Sequence, residues 1–307
     1  MIEPIEPMLA VAEEPFDSDD HLYEVKWDGV RCLAAVEPGS LRLWGRELAD
    51  YTDRYPELDV LRELPSGTIV DGELVVLRDG RADLDAILRR HQLRSPFKTR
   101  LACRQSPAVY LVFDVLFHRG RPVMGRSLKE RRQILTDLLV PLDPRRVLLS
   151  DGVVGAGKAM FEEVVRQGHE GVMAKHLDSH YLPGRRSSSW RKIKPTVIVP
   201  CVIIGYVPSK TGFRSLLVAA KRDGVLRYVG EVSCGLTRQE RAHLARRLPG
   251  RVRPRPVVPC RKQAVWLEPE LYCRVRSLGW SKSDRLRGAS LAGLILMSAA
   301  PSRHRRW

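Results

Sequence analysis

Nowhere does this 307-residue sequence hold an apolar run approaching the roughly twenty residues that span a bilayer, and no cationic, small-residue-ended leader opens it. A cytoplasmic protein without membrane contact is therefore expected. Paired cysteines are also missing. Cys32, Cys103, Cys201, Cys234, Cys260 and Cys273 are scattered and never form a C-x-x-C pair, which disfavours a zinc site or a disulfide framework. No internal repeat or low-complexity tract is evident. Acidic residues are scarce in one place only: residues 197–307 carry 6 Asp plus Glu against 22 Lys plus Arg, whereas residues 1–196 carry 30 of each. The whole net charge of +16 thus sits in the last third. A neutral module joined to a strongly basic one fits a second module that engages a polyanion, the plainer alternative being a solvated basic surface in an arginine-rich chain.

At this length two domains with real cores are accommodated, and the composition divides them at residues 1–196 and 197–307. In the first, strand-like runs at Leu22 to Trp27, Thr68 to Leu77, Val109 to Phe117 and Gly171 to Lys175 mix with helical stretches near Leu128 to Leu139 and Lys158 to Gln167. Their irregular spacing argues against a parallel βαβ array. In the second, strands are expected at Cys201 to Val207, Ser215 to Lys221 and Leu226 to Val232, then a helix from Thr237, a good N-cap, to Leu248. After a Pro/Arg-rich loop comes the best alternating strand of the chain. Val265, Leu267, Leu271, Cys273 and Val275 fall on one face; Trp266, Glu268, Glu270, Tyr272, Arg274 and Arg276 fall on the other. A small basic antiparallel barrel of the oligonucleotide-binding type fits.

Five segments carry chemistry: Lys26-Trp27-Asp28-Gly29-Val30-Arg31, Asp71-Gly72-Glu73, Val112-Phe113-Asp114, Glu170-Gly171-Val172-Met173-Ala174-Lys175 and Trp190-Arg191-Lys192-Ile193-Lys194. Together they supply a nucleophile, acidic residues, an aromatic ring and several cations, the parts a nucleoside triphosphate requires. With Leu22 to Asp28 as a strand, Glu24, Lys26 and Asp28 share the face opposite Tyr23, Val25 and Trp27. Gly29 then permits a sharp turn where backbone approaches a substrate, and Arg31 follows as a fixed cation.

In these segments the chain resembles the ATP-dependent DNA ligases of the nucleotidyltransferase superfamily, above all the bacterial stand-alone and end-joining types. The resemblance extends to Tyr51 through Leu58, Asp178 through Tyr181, Pro183 through Ser187, and Trp266-Leu267-Glu268-Pro269. It implies an α+β fold: a nucleotidyltransferase (adenylation) domain of antiparallel sheets with flanking helices, then a C-terminal OB-fold β-barrel.

The resemblance also implies roles. Lys26 attacks the α-phosphate of ATP to give a lysyl-AMP, and Lys192 and Lys194, two apart on one strand face, help to make its amine neutral and steady the phosphate. Glu73 and Glu170 are the carboxylates expected near the sugar and a Mg²⁺ or Mn²⁺ ion. Phe113 stacks on adenine, Glu24 accepts from the adenine amino group, and Arg31 and Arg46 contact the triphosphate or sugar. At the position where the family usually has a glycine after Arg46, this chain has Leu48. Nicked duplex DNA is the implied partner, with Lys210, Arg214, Lys282, Arg285 and Arg287 as phosphate contacts, and a Ku-type end-binding protein is a further one. A monomer is expected, without an extra N-terminal DNA-binding, polymerase or phosphoesterase module.

One departure stands out. The family's sixth motif should follow Asp284-Arg285-Leu286-Arg287, but the matching stretch reads Gly293-Leu294-Ile295-Leu296-Met297-Ser298, leaving Arg303 or Arg305 as substitutes for aiding pyrophosphate departure. Two alternatives stay open: an RNA ligase or capping-type guanylyltransferase, and a catalytically weak nucleic-acid-binding relative.

Overall fold

The computed structural model describes residues 3–210, 212–281 and 283–295. The chain divides into two compact units, Met1–Lys194 and Pro195–Trp307.

The first unit is built on two sheets. One has the strand order Leu9–Ala12, Arg186–Ile193, Val172–His176, Ser18–Val25, Gly152–Gly155. The other runs Val147–Leu149, Val109–His118, Thr68–Val75, Val30–Glu37, Ser40–Trp44, with Arg121–Pro122 added to Val109–His118. The sheets are mixed rather than purely antiparallel: Leu9–Ala12 runs parallel to Arg186–Ile193, and Val147–Leu149 parallel to Val109–His118. Each parallel pair joins segments distant in sequence, where no hairpin dictates direction. An apolar layer of Met8, Leu33, Ala35, Trp44, Ile69, Phe113, Leu116, Tyr181 and Trp190 draws on both sheets and packs them face to face.

Register decides what projects between them. Met173 lies opposite both Glu24 and Lys192, and Lys175 opposite Leu22 and Trp190, so these side chains share one face of the first sheet. On the second sheet Arg31 lies opposite Glu73, and Leu33 opposite Asp71. The outer faces are covered by helices. Leu128–Leu139 presents Leu128, Arg131, Leu135 and Leu138 at helical spacing, and its start is fixed by a capping box in which Ser127 and Glu130 satisfy each other's backbone N–H. Gly157–Arg166 lays Val164 against Tyr23, Ala174 and Ile193. Helices Leu84–His91 and Pro96–Gln105 were not expected from the sequence.

In the second unit the strand order is Val225–Val232, Gly212–Arg222, Val197–Ser209, Val265–Ser277, with Val252–Arg253 and Ser290–Ile295 also paired to Val265–Ser277. Leu286 N–H donates to Val229 O (2.8 Å) and Leu291 N–H to Cys234 O (2.9 Å), which returns the last segment to the first strand and curls the sheet on itself. Inside lie Cys201, Ile203, Phe213, Leu216, Val218, Leu267, Leu271, Cys273 and Val275. The strand Val265–Ser277 alternates as its sequence demands except at Trp266, which is covered by an apolar group that includes Val258 of the Pro/Arg-rich loop. Thr237 caps Arg238–Arg247 through a second capping box with Glu240. All six cysteines are free thiols, and no helix of the described residues is long and apolar enough to cross a membrane.

Candidate active site

Between the two sheets of the first unit lies a cavity lined by Glu24, Lys26, Trp27, Arg31, Arg46, Glu73, Phe113, Met173, Lys175, Arg186, Trp190 and Lys192, among others. Residues far apart in sequence reach it because the register above aims them inward.

Lys26 stands just past the end of its strand, which stops at Val25, and its N–H closes onto Gly171 O (2.8 Å). The regular alternation expected through Asp28 therefore breaks. Trp27 also lines the cavity, where its ring meets His169 edge-on (5.4 Å) and its Nε1 donates to Ser150 Oγ (3.1 Å). Gly29 differs from expectation too. It is outside the left-handed region, and what it needs is room: a Cβ there would lie 2.2 Å from Leu74 O of the adjoining strand. The close approach is to the protein's own backbone.

The Lys26 ammonium is paired with Glu170 Oε2, and Glu170 Oε1 holds Lys194. The group directly on Lys26 Nζ is thus a carboxylate, and Lys194 reaches that same carboxylate. The strand Arg186–Ile193 ends before Lys194, so Lys192 and Lys194 do not share a regular strand face. Lys192 does face the cavity, and its pKa lies below the ordinary lysine value because of burial and then the nearby Arg186, Lys194 and Lys26.

Arg31 is held by Asp71, which accepts from its Nε and Nη2 at 2.6 Å each. Asp71 is fully buried and also accepts from the Tyr181 hydroxyl at 2.6 Å, while that hydroxyl accepts from Met8 N–H at 3.0 Å. Asp71 thus serves Arg31 and is no solvated strand residue. Opposite Arg31, Glu73 is pushed up to about 7 by burial, against the pull of Arg31 and Lys26 and with the help of Asp71 and Glu170.

Deeper in, Glu24 is almost fully buried. Its Oε2 meets Lys175 Nζ at 2.5 Å and its Oε1 accepts from Arg132 Nη1 at 2.8 Å. Lys175, itself buried, also donates to Phe113 O (3.4 Å) and lies 4.2 Å from the Phe113 ring centre and 4.5 Å from that of Trp190. Burial holds its pKa below the ordinary value despite Glu24 and Asp114. Phe113 is 9% exposed, meets Trp190 edge-to-face at 6.0 Å and has the Arg31 guanidinium 4.6 Å from its centre, so only a narrow part of the ring is open to the cavity. Arg46 is exposed at the mouth, on a turn closed by Leu48 N–H to Gly45 O (3.0 Å) in which Leu48 has φ +60°.

Chemically, the cavity joins an amine, an acceptor-only carboxylate at its base, and several cations suited to phosphate oxygens. Among the described residues no group of three or more His, Cys, Asp or Glu is placed to hold a metal ion. Glu73, a carboxylate lining the cavity, fits a divalent cation supplemented by substrate phosphates and water. Glu170 does not fit as placed, since two lysines occupy its oxygens.

Sequence reasoning gave no role to Lys175, Trp190, Tyr181, Arg186 or Arg132. The first two lie in the segments singled out above; nothing local marks Arg132, whose partner Glu24 is 108 positions away. In the second unit, Lys210 and Arg214 are exposed on the hairpin of Val197–Ser209 and Gly212–Arg222. Arg287 is exposed, and Arg285 lies over the Tyr228 ring at 4.4 Å. Lys282, Leu296 to Ser298, Arg303 and Arg305 lie outside the described residues. Gly293 to Ile295 form the end of a barrel strand, paired with Arg274 to Tyr272.

Residues 7–194 match the family described as ATP dependent DNA ligase domain, and residues 209–294 match ATP dependent DNA ligase C terminal region. The multifunctional non-homologous end joining DNA repair protein LigD of Mycobacterium tuberculosis is 32% identical over 284 residues, covering 89% of this chain and 36% of LigD. The SPbeta prophage-derived DNA ligase-like protein LigB of Bacillus subtilis is 30% identical over 211 residues, covering 68% of this chain and 74% of that protein. Among solved structures, the ligase domain of M. tuberculosis LigD superposes with a TM-score of 0.57 at 30% identity, over 95% of each chain. This chain thus spans little more than a third of LigD's length but nearly all of its ligase domain. The fold is that of a nucleotidyltransferase domain followed by an OB-fold barrel.

Proposed function

Because this chain belongs to the ATP-dependent DNA ligase family, we propose that it seals nicks in duplex DNA with ATP, through a lysyl-AMP on Lys26 and then an adenylylated 5′-phosphate. The observation that carries this reading is the position of Lys26, its ammonium on Glu170 at the edge of a cavity whose other walls carry Arg31, Lys192 and Glu24.

The Lys26 ammonium first gives a proton to Glu170, the carboxylate paired with it, which frees the electron pair. The Nζ–P bond then forms as the bond from the α-phosphorus to pyrophosphate breaks, and Nζ loses a second proton to solvent. Arg31, Arg46 and Lys192 meet the phosphate and sugar oxygens, with Arg31 oriented by Asp71. Lys194 acts from Glu170. Phe113 borders the base, and Glu24 accepts from its amino group. A bound Mg²⁺ or Mn²⁺ would be held at Glu73, and would neutralise phosphate charge. The remaining steps need a duplex held in place, for which the basic barrel supplies Lys210, Arg214, Arg285 and Arg287, with Lys282 as a further candidate. We assign residues 1–196 to adenylation and 197–307 to nucleic-acid binding. The likeness to LigD supports a role in end-joining repair at the nucleoid, as a monomer working with a Ku-type end-binding protein.

The test is to incubate the protein with α-labelled ATP and Mg²⁺ or Mn²⁺, beside Lys26→Ala, and then chase with nicked duplex. Label confined to the Lys26-containing protein and released as the nick closes is the expected result. Labelling by GTP alone would replace this reading with a guanylyltransferase. No labelling with either nucleotide would leave a nucleic-acid-binding relative.

A further inference from the structure

We infer that Arg132 is a positioning residue for base selection, fixing Glu24 so that the cavity takes an adenine and refuses a guanine; this rests on the proposed contact between Glu24 and the base. Arg132 comes from the helix Leu128–Leu139, and 13% of its side chain is exposed, against 2% for Glu24. Its Nη1 donates both to Glu24 Oε1 and to Ser150 O, each at 2.8 Å. The second bond ties the guanidinium to backbone beside Trp27, whose Nε1 donates to Ser150 Oγ. Arg132 therefore cannot swing without breaking its partly buried bond to Ser150 O, and it holds the Glu24 carboxylate against rotation. Lys175 fixes the other oxygen.

The consequence is chemical. A carboxylate bound by two cations is an acceptor only, and each oxygen keeps one acceptor position after its cation is satisfied. Adenine offers an amino donor at the edge where guanine offers a carbonyl acceptor. A carboxylate locked between Lys175 and Arg132 bonds the first and repels the second. Selectivity built on unmatched buried polar groups is large compared with what shape alone provides. Held by Lys175 alone, Glu24 would be free to turn away from a guanine carbonyl, and the penalty would fall.

Equilibrium binding of AMP and of GMP to the full chain, measured by calorimetry for wild type, Arg132→Gln and Arg132→Lys, tests this without any chemistry. Wild type should prefer AMP by about tenfold or more, Arg132→Gln should bring the ratio below about threefold, and Arg132→Lys should recover part of it. A partly unfolded sample binds less of both nucleotides and leaves the ratio unchanged, so the ratio separates positioning from structural support. An unaltered ratio in Arg132→Gln, or a wild type that binds the two equally or binds neither, would overturn the inference. Failure of Lys26 labelling with the AMP preference and its loss in Arg132→Gln intact would instead overturn the proposed function alone.

Discussion

Arg131 and Arg132 are neighbours in one helix and grip opposite sheets of the first unit. Arg131 donates through Nε and Nη2 to both oxygens of Asp114 (2.7 and 2.9 Å), in the strand Val109–His118. Arg132 donates to Glu24 in Ser18–Val25. The helix thereby fixes the separation of the two walls of the cavity at their base.

Arg131 and Asp114 are both fully buried, and Arg131 also donates to the carbonyls of Arg126 (2.6 Å) and Ser179 (2.7 Å). Asp114→Ala leaves that guanidinium without its counter-charge, at an expected cost of about 3–5 kcal/mol. Urea denaturation measures it. A paired Asp114→Leu, Arg131→Met replacement should recover much of the loss, because the cost lies in the stranded charge.

Glu170→Gln removes the carboxylate shared by Lys26 and Lys194. With Glu170 as the base that takes a proton from the Lys26 ammonium, its loss should slow labelling of Lys26 by ATP by about a hundredfold or more. The partners are only partly buried, so the melting temperature should move little. Unchanged labelling kinetics would remove Glu170 from the reaction.

Leu48 occupies left-handed backbone at φ +60° with an exposed side chain. Leu48→Gly relieves that conformation while giving up little burial, and should raise stability by about 1 kcal/mol. The urea midpoint should rise at constant slope.

His91 couples stability to pH. Arg54 Nη1 lies 3.0 Å from its Nε2 and the Tyr55 hydroxyl 3.0 Å from its Nδ1, an arrangement suited to a neutral ring that accepts at Nε2. Burial first, then Arg54 and Arg94, lowers its pKa from 6.5 to about 4. The folded value lies below the unfolded one, so the unfolded chain binds the proton more readily. This contribution is complete above pH 6.5 and is lost as pH falls through 4. Since the ring is only partly buried it amounts to about 1–2 kcal/mol. In His91→Phe the loss of melting temperature between neutral and acidic pH should shrink accordingly.

If Arg285 and Arg287 lie on phosphates, replacing either by Ala should flatten the dependence of log affinity for nicked duplex on log salt by about 0.9. An unchanged slope would move the DNA path elsewhere on the barrel.

Much of this architecture was legible in the sequence, for identifiable reasons. The helix Leu128–Leu139 spans the residues expected of it, and Thr237 begins its helix because Glu240 completes the cap. The strand Val265–Ser277 shows its faces because one side is buried and the other exposed. Helix Pro96–Gln105 gave no such signal: Thr99 is its one buried residue, while Phe97 and Leu101 are exposed. Alternation projected through Asp28 failed at Val25, where Gly171 ends the ladder. The buried cations were the hardest to read. Lys175 and Arg131 look in sequence like any solvated lysine or arginine, because only a distant partner makes their burial tolerable.

The pairing of Lys26 with Glu170 bears on what the protein does between encounters with nucleotide. Acyl phosphates, aldehydes and isocyanate all consume exposed amines, and a nucleophilic lysine is ordinarily their easiest target. Here the side chain is paired with a carboxylate. If Lys26 is the nucleophile proposed above, that pairing also gives the idle protein chemical protection, because an amine engaged in an ion pair is a poorer target for such reagents than a free one.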